Sequence, residues 1–190
     1  RGYAVLQMNF RGSTGYGRKF FESSFKKWGR EMQDDITDGT QWLIDKGIAD
    51  STRIAIYGGS YGGYLTAMAL GRDSQLFSGG VDIHGVHDRT LYGYLNSINY
   101  EKAPDYELAR ETAWESSPIA DVNTWKSPVL IIHADDDRNV YFKQSTDLVQ
   151  RLRNTNVYME TMVIVDDNHH FMMFDNQMKV NKATADFLIR

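Results

Sequence analysis

Residues 54–63 read Ile-Ala-Ile-Tyr-Gly-Gly-Ser-Tyr-Gly-Gly and run directly into a helical pattern from Tyr61 to Leu70. An apolar, partly β-branched run that stops at a Gly-x-Ser-x-Gly turn and restarts with helical periodicity is the pattern of a strand turning sharply into a helix. Such a turn predicts a strained backbone at Ser60, with the hydroxyl pushed out of the fold. Gly58 and Gly62 stand two residues to either side, where a Cβ is expected to collide with the neighbouring strand or helix. Gly63 is expected to let the helix lie close to the sheet.

The rest of the chain repeats that strand-then-helix rhythm. Strand-length apolar runs occur at Tyr3–Asn9, Arg53–Tyr57, Gly80–His84, Pro128–His133 and Glu160–Val165. Between them lie helical patterns at Glu31–Lys46, Tyr61–Gly71, Phe142–Asn154 and Phe174–Leu188. In the first of these, Met32, Ile36, Thr40, Leu43 and Ile44 approximate a 3.6-residue period, and Gly47 suits the C-terminal stop. The succession predicts an α/β fold, a doubly wound and mostly parallel sheet covered on both faces. One segment breaks the rhythm. From Asp88 to Asn123 the chain is rich in Tyr, Asn, Glu and Trp without a clear strand, and it reads as a loop-and-helix excursion of the kind that shapes binding sites.

Bulk properties narrow the function by exclusion. With 21 Lys and Arg against 25 Asp and Glu, the net charge is −4 and no basic block stands out, which argues against nucleic acid as a partner. No apolar run approaches the roughly 18 residues of a membrane span, and no signal-peptide pattern opens the chain, so a soluble protein is expected, either cytoplasmic or periplasmic or extracellular. The absence of cysteine excludes disulfides, thiolate metal sites and a cysteine nucleophile. The chain opens almost at once in an apolar run, with neither an initiator Met nor a polar lead-in, as expected of a piece cut from a longer protein. At 190 residues the chain is one domain's worth and is expected to be a fragment.

A serine hydroxyl is a poor nucleophile at neutral pH and needs a general base, which in turn needs a group to fix its tautomer. In a parallel α/β sheet these groups sit just beyond the C-terminal ends of strands. After the run ending at His133 comes Ala-Asp135-Asp136-Asp137-Arg-Asn139-Val140. After the run ending at Val165 comes Asp166-Asp167-Asn-His169-His170. The order Ser, Asp, His is the one associated with the α/β-hydrolase fold.

Four stretches, Arg11-Gly-Ser-Thr-Gly-Tyr-Gly, Gly59-Ser-Tyr-Gly-Gly-Tyr, His133-Ala-Asp-Asp-Asp-Arg-Asn-Val and Asp166-Asp-Asn-His, together resemble the catalytic domain of the prolyl oligopeptidase family of serine peptidases. The likeness leans toward the branch that holds the dipeptidyl and acylaminoacyl peptidases. In that family's pattern the acid falls four residues after the strand-ending His with Val three beyond it, which selects Asp137 before Val140. The base follows an Asp-x-x-His pattern, which selects His169; His170 stands where relatives carry Gly. The resemblance implies acyl transfer by Ser60, His169 and Asp137, with one oxyanion donor from the backbone N–H of Tyr61. It also implies a second donor, a tyrosine hydroxyl, and an N-terminal β-propeller, both upstream of this chain. On this resemblance residues 1–190 are the C-terminal part of one α/β-hydrolase catalytic domain, and alone they are expected to be poorly active. No cofactor or metal is implied; the expected ligand is a short peptide, and self-association stays open. Carried over position by position, the pocket for the residue before the scissile bond falls on Tyr61, Val86, Tyr92, Asn139 and Val140. Arg89 replaces a Trp of relatives there, which predicts small apolar, proline or acidic residues at that position of the substrate.

Competing readings are weaker on spacing. Asp135, Asp137 and Asn139 match the start of a calcium loop, but Val140 and Thr146 stand at its Gly and Glu positions. His84 with His87, or His169 with His170, lacks further ligands at convincing spacing. The glycines of Arg11–Gly17 fit neither phosphate-loop pattern and read as a turn. Asp166 and Asp167 are rival acids placed on the base's own loop. An esterase or lipase on the same fold, and a non-catalytic hydrolase-like interaction module, are the alternative functions.

Overall fold

The computed structural model describes residues 2–96 and 100–189. The chain forms two compact units, Arg1–Ile54 and Ala55–Arg190.

In the first unit, the Arg11–Gly17 turn leads into α1 (Arg18–Glu22), and α2 spans Glu31–Asp45. Arg11 closes the turn onto α2: its N–H and Nε donate to Asp35 Oδ2 at 2.8 Å each, and its Nη2 to Oδ1 at 2.5 Å. The turn is thus built around an ion pair, in keeping with the turn reading. The stop after α2 is as expected. Gly47 adopts φ 67°, its N–H bonds Ile44 O, and Ile48 N–H reaches Leu43 O, the paired bonds of a Schellman end. Tyr3–Asn9 is the one predicted strand that does not form. A strand exists only through a ladder partner for its backbone groups, and this segment belongs to none of the ladders, with Tyr3 and Val5 exposed. Leu6 and Met8 nevertheless keep the alternation of an extended chain, both lying over Gly39 of α2.

The second unit carries the sheet. Strands β1 (Ala55–Gly59), β2 (Gly79–Ile83), β3 (Val129–Ala134) and β4 (Met159–Ile164) lie side by side in that order, all parallel. In-register partners include Ile56 with Gly80, Val81 with Leu130 and Ile132 with Met162. The helices are α3 (Tyr61–Arg72), α4 (Tyr106–Glu115), α5 (Lys143–Leu152) and α6 (Phe174–Ile189). All four strands and the three helices expected here lie within two residues of the predicted ends. Period-two alternation divides the sheet into two faces. Val81, Leu130, Ile132, Ala134 and Ile164 pack with Phe171, Val180 and Phe187, so α6 covers one face. On the other, Gly80 lies against Leu70 and Thr66 of α3, and His133 bonds Ser145 of α5. The central strands β2 and β3 are thus covered on both faces, whereas β1 and β4 leave alternate residues exposed, Tyr57 and Val163 among them. The excursion after Asp88 consists of short 3₁₀ turns, α4 and a 3₁₀ segment at Pro118–Thr124, with no strand among the described residues. Part of it, residues 97–99, lies outside the described residues. Among the described residues no helix is long and apolar enough to cross a membrane.

Candidate active site

Ser60 sits between β1 and α3 with φ 58° and ψ −115°. A non-glycine residue held there is strained by roughly 1–3 kcal/mol. Its N–H donates to Ile83 O at 2.9 Å and its carbonyl accepts from Tyr64 N–H at 3.0 Å, so strand and helix together hold the turn. The glycines divide the work unevenly. A Cβ on Gly58 would stand 2.6 Å from the backbone of Gly62, and one on Gly63 would stand 2.8 Å from Gly85 Cα. These are the close approaches expected. Gly62 departs from expectation: a Cβ there would meet nothing within 4 Å, because it is its backbone, not its missing side chain, that faces Gly58.

Asp137 and His169 come from the loops after β3 and β4 and meet Ser60 across the sheet's C-terminal rim. His169 Nδ1–H donates to Asp137 Oδ2 at 2.6 Å, and its Nε2 accepts from the Ser60 hydroxyl at 2.9 Å. Asp137 Oδ1 accepts the N–H groups of Asn139 and Val140 at 2.8 and 2.9 Å. Burial pushes this carboxyl up, but the bonds from His169, Val140 and Asn139 outweigh it and hold the group below its ordinary 3.8. Asp137 is therefore an anion with every partner a donor. His169 is buried and His170 exposed, its ring edge-on to that of His169. Asp166 is exposed, its N–H donating to Asp135 Oδ1.

The other rival acid has a different task. Buried Asp167 accepts from the N–H groups of Asn168, Met172 and Met173 and from Asn176 Nδ2, cinching the loop that carries His169. Its carbonyl accepts Asp136 N–H, which ties the two loops together. His133, read from sequence only as the landmark before Asp137, also takes part. Its Nδ1 accepts from Ser145 Oγ at 2.7 Å, and its Nε2–H donates to Val140 O at 2.8 Å and toward Asp137 Oδ2 at 3.2 Å. Burial lowers its pKa, so it stands neutral. Its position four residues before the acid at a strand end was the available signal.

His84 and His87 do not form a pair of metal ligands. His87 Nδ1–H donates to Gln144 O at 3.0 Å and Nε2–H to Asp82 Oδ2 at 2.5 Å, leaving no lone pair. Burial would push this imidazole down, but Asp82 more than reverses that and holds it above 6.5. His84 instead lies beside His169, and His84, Asp137 and His169 form a group whose ligand atoms fall within 4.8 Å of one another. The two rings are tilted 34° to one another with their centroids 4.2 Å apart, and both nitrogens of His169 are already bonded. This arrangement suits proton transfer better than chelation. Nor does a calcium loop suit Asp137, whose oxygens are filled by N–H donors.

The expected pocket residues differ in exposure. Val86 and Val140 are buried, Tyr61 and Arg89 half-buried, and Tyr92 and Asn139 more exposed. The Tyr61 ring lies 5.4 Å from that of Tyr64, and burial pushes both hydroxyls up. Arg89 donates from Nη1 to Ser116 Oγ at 2.6 Å and from its N–H to Ser117 Oγ at 2.8 Å. Hydroxyl partners of this kind lower the cost of a guanidinium beside apolar groups.

Comparison with known proteins places this arrangement in context. The model of the prolyl oligopeptidase family matches residues 1–190. The chain is 33% identical over 198 residues to the dipeptidyl aminopeptidase BIII of Pseudoxanthomonas mexicana, covering 99% of this chain and 29% of that protein. It is 30% identical to the acylamino-acid-releasing enzyme of Arabidopsis thaliana, covering 88% of this chain and 24% of the plant protein. Among solved structures it resembles an acylaminoacyl peptidase in complex with Z-Gly-Gly-Phe-chloromethyl ketone (TM-score 0.80, 29% identity, 96% of this chain, 31% of the other). It also resembles the Pyrococcus horikoshii acylaminoacyl peptidase (TM-score 0.83, 27% identity, 96% and 31%). The chain thus spans less than a third of the length of these relatives.

Proposed function

Because this chain belongs to the prolyl oligopeptidase family and has the α/β-hydrolase fold, we propose that it is the C-terminal part of the catalytic domain of a serine peptidase acting on short peptides. Ser60 Oγ attacks the scissile carbonyl while His169 Nε2 takes its proton, and Asp137 keeps Nδ1–H in place and stabilises the imidazolium. His169 then gives the proton to the leaving amine, and water hydrolyses the acyl-enzyme by the same steps in reverse. The N–H of Tyr61, first in α3, donates to the developing oxyanion. A tyrosine upstream of residue 1 supplies the second donor, and an upstream propeller limits access to short peptides.

The observation that carries this reading is the continuous chain from Ser60 through His169 to Asp137, at 2.9 and 2.6 Å, on a strained strand–helix turn. The pocket of Tyr61, Val86, Tyr92, Asn139 and Val140 receives the residue before the scissile bond, and Arg89 extends acceptance to acidic side chains. The test uses the full-length protein. A fluorophosphonate is expected to label it covalently, and Ser60→Ala to abolish labelling and lower peptide-anilide turnover about 10⁶-fold. Undiminished labelling of the variant would refute the assignment. Equal rates on anilides differing only at the residue before the bond would refute the pocket.

A further inference from the structure

His169 is hydrogen-bonded at both ring nitrogens, which stand to either side of Cε1. With the in-plane Cβ these two bonds define the imidazole plane, but the bond to Ser60 is broken and remade during reaction, and small changes of χ1 and χ2 can then swing Nε2 off line. Proton transfer is directional, since the lone pair of Nε2 lies in the ring plane and must point at Ser60 Oγ. A contact on the face of the ring opposes that swing.

His84 occupies that position. It follows β2, its N–H donates to Ile132 O at 2.7 Å, and its backbone is held at φ 43°. The ring lies 4.2 Å from that of His169 at 34°, with the Phe171 ring 5.1 Å away at 37°. It also fills the room left by Gly59, the residue before Ser60, where a Cβ would stand 3.2 Å from His84 Nε2. The imidazole therefore touches the turn that carries the alcohol and the face of the ring that receives its proton. It is 7% exposed, and Nδ1 is buried without a hydrogen-bond partner. A strained backbone and an unsatisfied buried nitrogen each oppose folding, and such features persist where function requires the side chain's placement.

We infer that His84 is a positioning residue: its ring, packed against that of His169, holds the imidazole against swinging and so keeps Nε2 aimed at Ser60. The inference rests on the triad reading proposed above. The groups facing His84 are His169, His133, Asp137 and Asp82, and burial, then the neighbouring histidines, lower its pKa to about 4. A neutral ring gives the imidazolium formed during reaction a π-face rather than a second positive charge.

Two substitutions in the full-length protein separate face from volume. His84→Leu fills the space without a flat ring and is expected to lower kcat and the fluorophosphonate labelling rate about 10²-fold, the scale of a misaimed catalytic group, with KM little changed. His84→Phe keeps the face and removes the orphaned nitrogen; it is expected to stay within about threefold of the parent rate and to melt at a higher temperature. A Leu variant as fast as the parent, or a Phe variant as slow as Leu, overturns the inference. Labelling that is lost in Ser60→Ala but unaffected in His84→Leu would overturn the role of His84 alone. Labelling that survives Ser60→Ala would overturn the triad reading beneath it.

Discussion

Replacing Asp137 with Asn changes one atom and reverses the logic of the site. All four close partners of the carboxylate are donors: the N–H groups of Asn139 and Val140 on Oδ1, and His169 Nδ1–H and His133 Nε2–H on Oδ2. An amide must aim its NH₂ at one of these pairs. Turned toward the backbone it faces two N–H groups that have no other tautomer. Turned toward the imidazoles it faces His133, whose Nε2–H is also engaged by Val140 O, and His169, which alone can adapt by moving its proton from Nδ1 to Nε2. The second arrangement is the less costly, and it leaves Nε2 unable to accept the proton of Ser60. The amide-for-acid change in a Ser-His-Asp triad costs about 10⁴ in kcat, or about 5.5 kcal/mol of barrier. The assay is peptide-anilide turnover by the full-length Asp137→Asn protein at neutral pH, with circular dichroism to establish that it is folded. KM is expected to change little, since no pocket side chain is altered. A loss of less than tenfold in a folded variant would refute the tautomer argument.

Two further outcomes follow from geometry and ionisation. Gly58→Ala places a Cβ 2.6 Å from unyielding backbone at Gly62 and is expected to destabilise by about 1–3 kcal/mol, whereas Gly62→Ala meets nothing within 4 Å and is expected to leave the melting temperature unchanged or raise it; equal effects in thermal denaturation would contradict this. Stability should also change with pH in opposite senses at two buried histidines. His87 is raised above 6.5 by Asp82, so its contribution is complete below 6.5 and disappears as the pH climbs through the raised value. His84 is lowered from 6.5 to about 4, so the stability tied to its neutral form is present above 6.5 and is lost as the pH falls toward 4, on the order of 3 kcal/mol at about 1.36 kcal/mol per pH unit. Melting curves across pH should flatten on the alkaline side in His87→Gln and on the acid side in His84→Phe, and unchanged profiles would count against both assignments.

Strand–helix succession was legible because a covered strand leaves a short, mostly apolar run; β2 and β3 are buried on both faces, and β1 and β4 keep such runs although alternate residues are exposed. Tyr3–Asn9 has the same local signature and forms no strand, since a ladder depends on a partner and not on the segment's own residues. At the site, the residues on strand-end loops could be singled out by position and chemistry. Their supports could not. His84 and Asp167 act through contacts 85 and 5 to 9 residues along the chain, and nothing in local spacing distinguishes an imidazole that stacks from one that binds metal, or a carboxylate that cinches a loop from one that serves as the acid. Gly62 shows the same limit in miniature: the motif marks a close approach, but only coordinates tell which glycine's missing methyl makes room.

The ties between the loops after β3 and β4 bear on how this machinery can be altered. Asp136 N–H binds Asp167 O, Asp166 N–H binds Asp135 Oδ1, and Asp135 N–H binds Ile164 O. Asp137 and His169, the acid and base of the proposed triad, therefore sit on one stitched cassette, to which a separate turn brings Ser60. Grafting one of these loops without the other would unstitch the seam, while the intervening helix and strand act as a spacer whose outer surface is free to be rewritten.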